Sequence, residues 1–372
     1  MKKKIILVLA LAASLLTGCH KNTESNGEYF RIVSPFINVC NNGELYTDNS
    51  DRLLFSDFEA MRTAYICPKP NCPHTDENSC SAFGMSHHPI LYEGNIYYFT
   101  YDIYMNDERE YQFITYINKA DPDGTNRKEI YKMDGLHVSI GDRIIVDGSK
   151  IYFTAEDVEF DEYGSSTNYT VGYLCCYDLE SGEFENMAEI YKGYSSGDWV
   201  YGMWNGKIYY YTSVSENKID WDSIDIGTDD VMSFYTLKHY CLNTADKSVS
   251  ENDLPEPLYI GEGYYIYTTE NGICLKPEND EDIFIDNFKA DSGLLYILNG
   301  YVISSDGKTC ADIDTGKVYK INPEYASESS FYEPVYYINE KFILKKPMSN
   351  IEDMTDMYVS VSESEYIGEE II

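Results

Sequence analysis

Long helical periodicity is all but missing from this 372-residue chain. Beyond residue 16 no stretch sustains apolar residues at i, i+3, i+4 and i+7, the spacing that lines one face of a helix. That excludes helix-dominated classes. Positive charge is scarce too: 28 Lys and Arg stand against 63 Asp and Glu, for a formal net charge of −35. Such a surface repels nucleic acid and anionic lipid, so a nucleic-acid role is excluded. It suits solubility, metal cations and basic partners. The acids are spread along the chain, so they read as a solvated surface and single out no general acid or base. A second long apolar run is missing, and nothing after the first residues reads as a membrane segment.

The one apolar run lies at the start. Lys2, Lys3 and Lys4 precede Ile5 to Leu16, and Thr17-Gly18-Cys19 follows. A basic region, a short apolar run and a small-residue cleavage site make a secretory signal over 1–18, since spanning a bilayer takes roughly 20 apolar residues. Leu16-Thr17-Gly18-Cys19 resembles the bacterial lipobox, which implies lipid attachment at Cys19. Loss of the three lysines takes the net charge to −38. Residues 19–28 are then the lipidated cysteine and a polar tether of at most about 30 Å. The folded part, 29–372, is expected to be held at the membrane and to face outward from the cytoplasm.

Tyrosine is abundant, at 37 residues, and favours strands, where the ring is buried and the hydroxyl stays wet. A turn residue, an apolar residue and Tyr or Phe recur together. Examples are Gly94-Asn95-Ile96-Tyr97, Gly148-Ser149-Lys150-Ile151-Tyr152 and Gly206-Lys207-Ile208-Tyr209. A further copy starts at Gly43, and weaker copies start at Gly263, Gly293 and Asn339. The spacing of about 50 residues is blade length. Asp123-Gly124, Ser181-Gly182 and Thr315-Gly316 suit tight hairpins. The expectation is an all-β, single-domain β-propeller, seven-bladed with six or eight as the alternatives. Its blades fall near 36–67, 89–134, 137–192, 199–255, 258–287, 288–321 and 331–372. Acidic insertions at 156–168 and 216–230 read as loops.

The distinctive chemistry lies in 67–80. Cys67, Cys72, His74 and Cys80 share a loop with Pro68, Pro70 and Pro73 and no large apolar side chain. Prolines forbid regular pairing there, so the loop needs a cross-link to stay ordered. One candidate is zinc on all four side chains, a Cys3His set suited to tetrahedral coordination. The other is a disulfide, Cys67–Cys80 or Cys67–Cys72, worth about 3 kcal/mol against about 10–16 kcal/mol for a structural zinc. Either role is structural, because four protein ligands leave no position for substrate.

Ala120-Asp121-Pro122-Asp123-Gly124-Thr125-Asn126-Arg127 resembles the hairpin of TolB-like propellers. The C-x4-C-x-H-x5-C spacing of 67–80 resembles a pattern in propeller-type lipoproteins of gut Firmicutes. The resemblance implies fold and location; no activity comes with it.

The remaining candidates have duller readings. Gly193-Tyr194-Ser195-Ser196-Gly197 matches a nucleophile elbow, but Trp199-Val200-Tyr201 reads as strand where a helix is required, so it reads as a loop between blades. His87 and His88 read as a surface turn, and His137 and His239 as half-buried strand positions. Cys40, Cys175, Cys176, Cys241, Cys274 and Cys310 read as small buried hydrophobes. The expected function is a non-catalytic binding or scaffold module for a surface ligand (glycan, peptide or protein). The alternatives are a cell-surface polysaccharide lyase or hydrolase, or a metal-handling lipoprotein. The catalytic set is empty.

Overall fold

The computed structural model describes residues 31–33, 37–40, 43–48, 50–75, 79–85, 87–105, 110–138, 143–161, 163–215, 217–218, 231–289, 295–304, 306–327, 330–347 and 357–371. The side chains of 31–40, 168, 195–198, 231–232, 327 and 330 are not among those described. The signal sequence, Cys19 and the tether lie outside these residues.

The all-β class expected from the sequence is the class observed. The first sheet comprises Ile37–Cys40, Gly43–Thr47, Leu53–Asp57 and Arg62–Tyr65. The second comprises His87–Tyr92, Asn95–Met105, Tyr111–Ala120 and Lys128–Asp134. The third has eight strands, opening with Arg31–Val33 beside Ile144–Asp147 and Lys150–Phe160. It continues through Ser166–Asp178, Phe184–Trp204, Lys207–Ser215, Thr236–Asn243 and Val249–Glu251. The fourth is Pro257–Gly261, Tyr264–Thr268, Gly272–Pro277 and Ile283–Asp286. The fifth is Tyr296–Leu298, Tyr301–Ile303, Thr309–Asp312 and Val318–Ile321, with Ile367–Ile371 added at its edge. The sixth is Glu333–Ile338, Lys341–Lys345 and Tyr358–Ser362. Apart from the added edge strands, each sheet runs up and down through strands consecutive in sequence, which is the blade type of sheet.

Two-residue turns generate this pattern. Tyr92 pairs with Asn95, leaving Glu93 and Gly94 as the turn, at φ 46° and 71°. Positive φ at both central positions matches the right-handed twist of the strands it joins, and glycine takes the second position without steric cost. The same signature recurs at Asn205-Gly206, Glu262-Gly263 and Asn299-Gly300. At Asn339-Glu340 the turn forms without glycine.

Several expectations need correction. In the sixth repeat a turn forms at Asn299-Gly300, with Tyr296 in the strand before it, and the expected repeat start at Gly293 lies outside the described residues. The insertion at 156–168 is no loop: the hairpin of Lys150–Phe160 and Ser166–Asp178 runs through it, with Asp157 paired to Val171. Residues 193–197 are no loop either. They sit inside Phe184–Trp204, which pairs with 169–177 in its first half and 207–215 in its second. The final repeat ends early, because Ile367–Ile371 pairs with Val318–Ile321 instead.

The chain divides into two compact units. The first is Met1–Asn41, Leu45–Leu54 and Tyr65–Asn252, and the second is Asn42–Glu44, Phe55–Ala64 and Asp253–Ile372. In the first unit, Ile90, Tyr97, Phe99 and Ile117 of the second sheet pack on Ile144, Ile151, Phe153 and Cys175 of the third. In the second unit, Ile266, Leu275, Phe288 and Val302 form one cluster, and Ile303, Phe342, Leu344 and Tyr366 another. Cys175, Cys176, Cys241, Cys274 and Cys310 are all buried free thiols, as expected.

The second unit also buries an ion pair between positions 301 apart in sequence: Lys345 Nζ donates to Glu44 Oε1 at 2.7 Å. Burial pushes the Glu44 carboxyl above its ordinary range, and Lys345 works against that shift. Phe58 packs beside it on the rings of Tyr336 and Tyr358, each 5.3 Å away. Removing one partner strands a buried charge, whereas removing both does not. Lys345→Met is therefore expected to cost about 3–5 kcal/mol in urea unfolding, and the double variant Glu44→Leu/Lys345→Met to recover most of it.

Candidate metal centre

The loop begins where the first sheet runs out. Strand Arg62–Tyr65 ends, Ile66 N donates to Leu53 O at 3.2 Å, and the prolines then prevent further pairing. Cys72 N closes a turn on Lys69 O at 3.2 Å, and Asn71 and His74 take left-handed backbone, φ 58° and 52°. The chain returns to the start of the neighbouring strand, Leu53–Asp57: Leu53 N donates to Ala82 O at 2.8 Å, and Arg52 bridges Phe83. Both ends of the loop are thus pinned to residues 51–54.

Within it, the ligand atoms of Cys67, Cys72, His74 and Cys80 all lie within 4.8 Å of one another. Cys67 and Cys80 are buried and Cys72 and His74 half-buried. The three thiols are free. Zinc bonds of about 2.3 Å to sulfur and about 2.0–2.1 Å to nitrogen would hold tetrahedral donors about 3.5–3.8 Å apart, so the set fits with small adjustments. His74 Nδ1 and Cys80 Sγ are 3.1 Å apart.

The surroundings treat the thiols unequally. Burial alone would raise Cys67, but the amides of Lys69 and Ser81 point at its sulfur and bring its pKa below the ordinary thiol value. The Ser81 hydroxyl is near as well, yet its proton is directed at Asp123 O, 2.7 Å away, so the amides carry the effect. Burial pushes Cys80 up to about 12; the Ala82 amide opposes this, and the thiols of Cys67 and Cys72 add to it. Three thiolates this close repel one another unless a cation sits among them.

A second layer holds the histidine. Arg52 Nη1 donates to His74 O at 2.9 Å, and Arg52 Nε donates to Asp48 Oδ2 at 2.8 Å. Burial would raise the Asp48 carboxyl, but Arg52 and the amides of Ser50 and Arg52 hold it below the usual range. Tyr65 packs its ring 4.3 Å from the imidazole of His74 and lies under the Arg52 guanidinium. Burial, then the Arg52 charge, lower the His74 pKa and keep the ring neutral, the form that ligates a metal. Asp48, Arg52 and Tyr65 carry no motif in the sequence.

The loop is also docked on the second sheet. Arg127 Nη2 donates to Ser81 O at 2.7 Å. The hairpin turn at Gly124 comes so close that an added Cβ would lie 2.0 Å from Ser81 O and 2.9 Å from Ile66 Cδ1. The hairpin expected at 121–126 is present, with Asp121 N bonded to Thr125 O at 2.9 Å, and it serves as the seat of the cysteine loop.

The other sequence candidates do not join the site. His87 and His88 form the start of strand His87–Tyr92 and not a surface turn; His88 is buried. His137 and His239 are half-buried, as expected. Among the described residues, no other group of three or more His, Cys, Asp and Glu side chains is placed to hold a metal.

Gly124→Ala tests the seat against a matched control. Gly94 has almost the same φ, 71° against 72°, but open space where a Cβ would go. Gly94→Ala should cost the left-handed penalty alone, about 1–2 kcal/mol. Gly124→Ala should cost clearly more in the same denaturation experiment. It should also speed proteolysis within 67–80, which Gly94→Ala should not.

No protein-family model matches this chain, and no curated protein matches it. Solved structures do. An oligogalacturonate lyase in complex with manganese is 8% identical over 90% of each chain, with a TM-score of 0.42. An oligogalacturonate lyase from Vibrio parahaemolyticus is 9% identical over 92% of this chain and 93% of that one, with a TM-score of 0.45. TolB from Acinetobacter baumannii is 13% identical over 92% of this chain and 67% of its own, with a TM-score of 0.28. At these identities and scores, none of them lends this chain an activity, a substrate or a metal.

Proposed function

We propose that this protein is a lipid-anchored, extracytoplasmic β-propeller that binds or scaffolds a surface ligand, and that a structural zinc on Cys67, Cys72, His74 and Cys80 clasps its first sheet to its second. The observation that carries the clasp is the convergence of four donors in a loop that has no core of its own. Both ends of that loop are tied back to 51–54, and one side is seated on Gly124. Four protein donors close a zinc site, which leaves the metal to hold structure and not to activate water. The second layer of buried Asp48 and half-buried Arg52 favours a fixed ion over one that is loaded and released. Anchoring rests on the lipobox-like Leu16-Thr17-Gly18-Cys19. The propeller reading rests on the succession of blade-type sheets, and the strand at 193–197 sets aside the nucleophile-elbow reading of that stretch.

Elemental analysis with thiol counting tests the clasp. One zinc per chain is expected in the wild type and none in Cys72→Ser, and chelation should lower the thermal midpoint of the wild type only. No metal, with two fewer free thiols than the cysteine count, would replace the zinc by a disulfide. Turnover of a glycan or peptide by the purified protein would overturn the binding role. For the anchor, Cys19→Ala expressed in a bacterium should move the protein from the membrane fraction to the soluble extracytoplasmic fraction.

A further inference from the structure

The second and third sheets carry hairpins that outgrow their neighbours. Asn95–Met105 pairs with Tyr111–Ala120 without interruption out to Met105 and Tyr111. Alternation places Tyr97, Phe99, Tyr101, Ile103 and Met105 on one face. The first two are core. The last three, at 38%, 51% and 52% exposure, continue the same apolar face past the point where the core ends. With Tyr163, 81% exposed on the neighbouring hairpin, they make up half of the eight large apolar side chains exposed among the described residues. So the exposure is concentrated, and scattered surface hydrophobes do not explain it.

The hairpin of the third sheet is shaped to meet this face. A register shift between Val158 and Phe160 re-aims Phe160, whose ring lies 5.3 Å from Phe113. His137 is fixed between the hairpins by paired 2.8 Å backbone bonds to Glu156. Its imidazole stacks on Phe113 at 4.2 Å and meets the edge of Tyr101 at 5.2 Å. The result is a floor of aromatic rings, open on the side of Tyr101.

The rim is acidic. Glu110, Asp157, Glu159 and Asp161 are all exposed on these two hairpins. Counted over the sequence from Tyr101 to Tyr116 and from Glu156 to Gly172, nine acids stand against one base, Arg109. That charge decides among occupants. A second copy of the chain would bring the same carboxylates, an anionic lipid surface would be repelled, and a neutral glycan would gain nothing from the excess of negative charge. A cation has both a ring face to sit on and carboxylates to pair with.

We propose that the cleft between these two hairpins binds a basic peptide segment, seating an arginine or lysine side chain against Tyr101, Phe113 and His137 under the rim that carries Asp157. This supplies a ligand class for the binding role proposed above, and it stands whether or not residues 67–80 hold zinc.

The test is titration of the full-length protein, in detergent, with a ten-residue peptide of alternating arginine and serine, followed by calorimetry. The wild type should bind it, and affinity should fall steeply as salt is raised. Tyr101→Ser and Phe113→Ala should weaken binding about threefold to tenfold, a cation–π contribution of about 0.7–1.4 kcal/mol. Tyr101→Phe, which keeps the ring, should retain it. Tyr101 is partly exposed, so its variants leave the core intact, and zinc content and thermal midpoint confirm that the fold is kept. Two controls complete the design: Glu251→Gln, on the strand Val249–Glu251 five strands from Lys150–Phe160 in the same sheet, should leave affinity unchanged, and cellohexaose should not bind. The proposal is overturned if Glu251→Gln weakens binding as much as Tyr101→Ser does, which would mean diffuse attraction to an acidic protein. It is overturned equally if Tyr101→Ser binds like the wild type, or if cellohexaose binds and the peptide does not.

Discussion

A polypeptide segment without large apolar side chains or strand pairing has no means of paying its own ordering entropy, and the described residues of 67–80 form such a segment. Each ordered residue costs roughly 1–2 kcal/mol of backbone freedom. Three prolines lower that cost a little by restricting the unfolded chain, but they also remove donors that could have paired. What is left is the anchoring of both ends on 51–54 and the four ligand atoms in the middle. Much else on this side of the first unit is arranged around that need. Arg52 bridges Phe83 through its backbone while its guanidinium holds the His74 carbonyl. Asp48 orients Arg52, and Tyr65 covers the imidazole face. The Gly124 turn, in turn, leaves room for the Ser81 carbonyl.

The tyrosines solve a related problem. A blade-type sheet has two faces, and each must be covered by a neighbour or faced with groups that tolerate water. Tyrosine serves at the boundary, because the ring packs while the hydroxyl reaches a partner. Tyr265 is fully buried, yet its hydroxyl donates to Pro255 O at 2.6 Å. Tyr301 and Tyr337 both donate to the Glu363 carboxylate, at 2.9 and 3.2 Å. Here acid and aromatic content act together: carboxylates at the sheet edges accept the phenolic protons that burial leaves over.

How far the sequence reveals this depends on whether a feature is local. The hairpin turns are local, and Glu93-Gly94 and Asn205-Gly206 are readable because two adjacent residues with positive φ have few substitutes. The turn at Asn299-Gly300 goes unmarked, because Tyr301 follows it directly and departs from the turn, apolar, aromatic order of the stronger repeats. Acidic composition misleads at 156–160, because strands that project beyond the core need no apolar alternation to stay paired. The grouping of Cys67, Cys72, His74 and Cys80 was legible from their closeness in the sequence. Their supports were not, since Asp48, Arg52 and Tyr65 look like ordinary residues of a strand and its turn. Nor was the Glu44–Lys345 pair, whose members are 301 positions apart.

Projection beyond the core is also what links the two ends of this argument. A strand inside a sheet stack has its side chains assigned by burial, whereas one that extends past the stack is free to carry chemistry. In the hairpin of 95–120 the apolar alternation persists after the core stops, although solvent does not require it. In the hairpin of 150–178 the alternation is broken by a bulge at the one place that turns Phe160 toward Phe113. A bulge costs a ladder hydrogen bond and is retained where it re-aims a side chain. Two adjacent hairpins that depart from the simplest pattern in complementary ways, one by staying apolar and the other by bending toward it, are better explained by a shared ligand than by stability. The clasp at 67–80 and this cleft therefore divide the labour of the second sheet. One end of its central hairpin is fixed by the cysteine loop at Gly124, and the other end is extended and open to a partner.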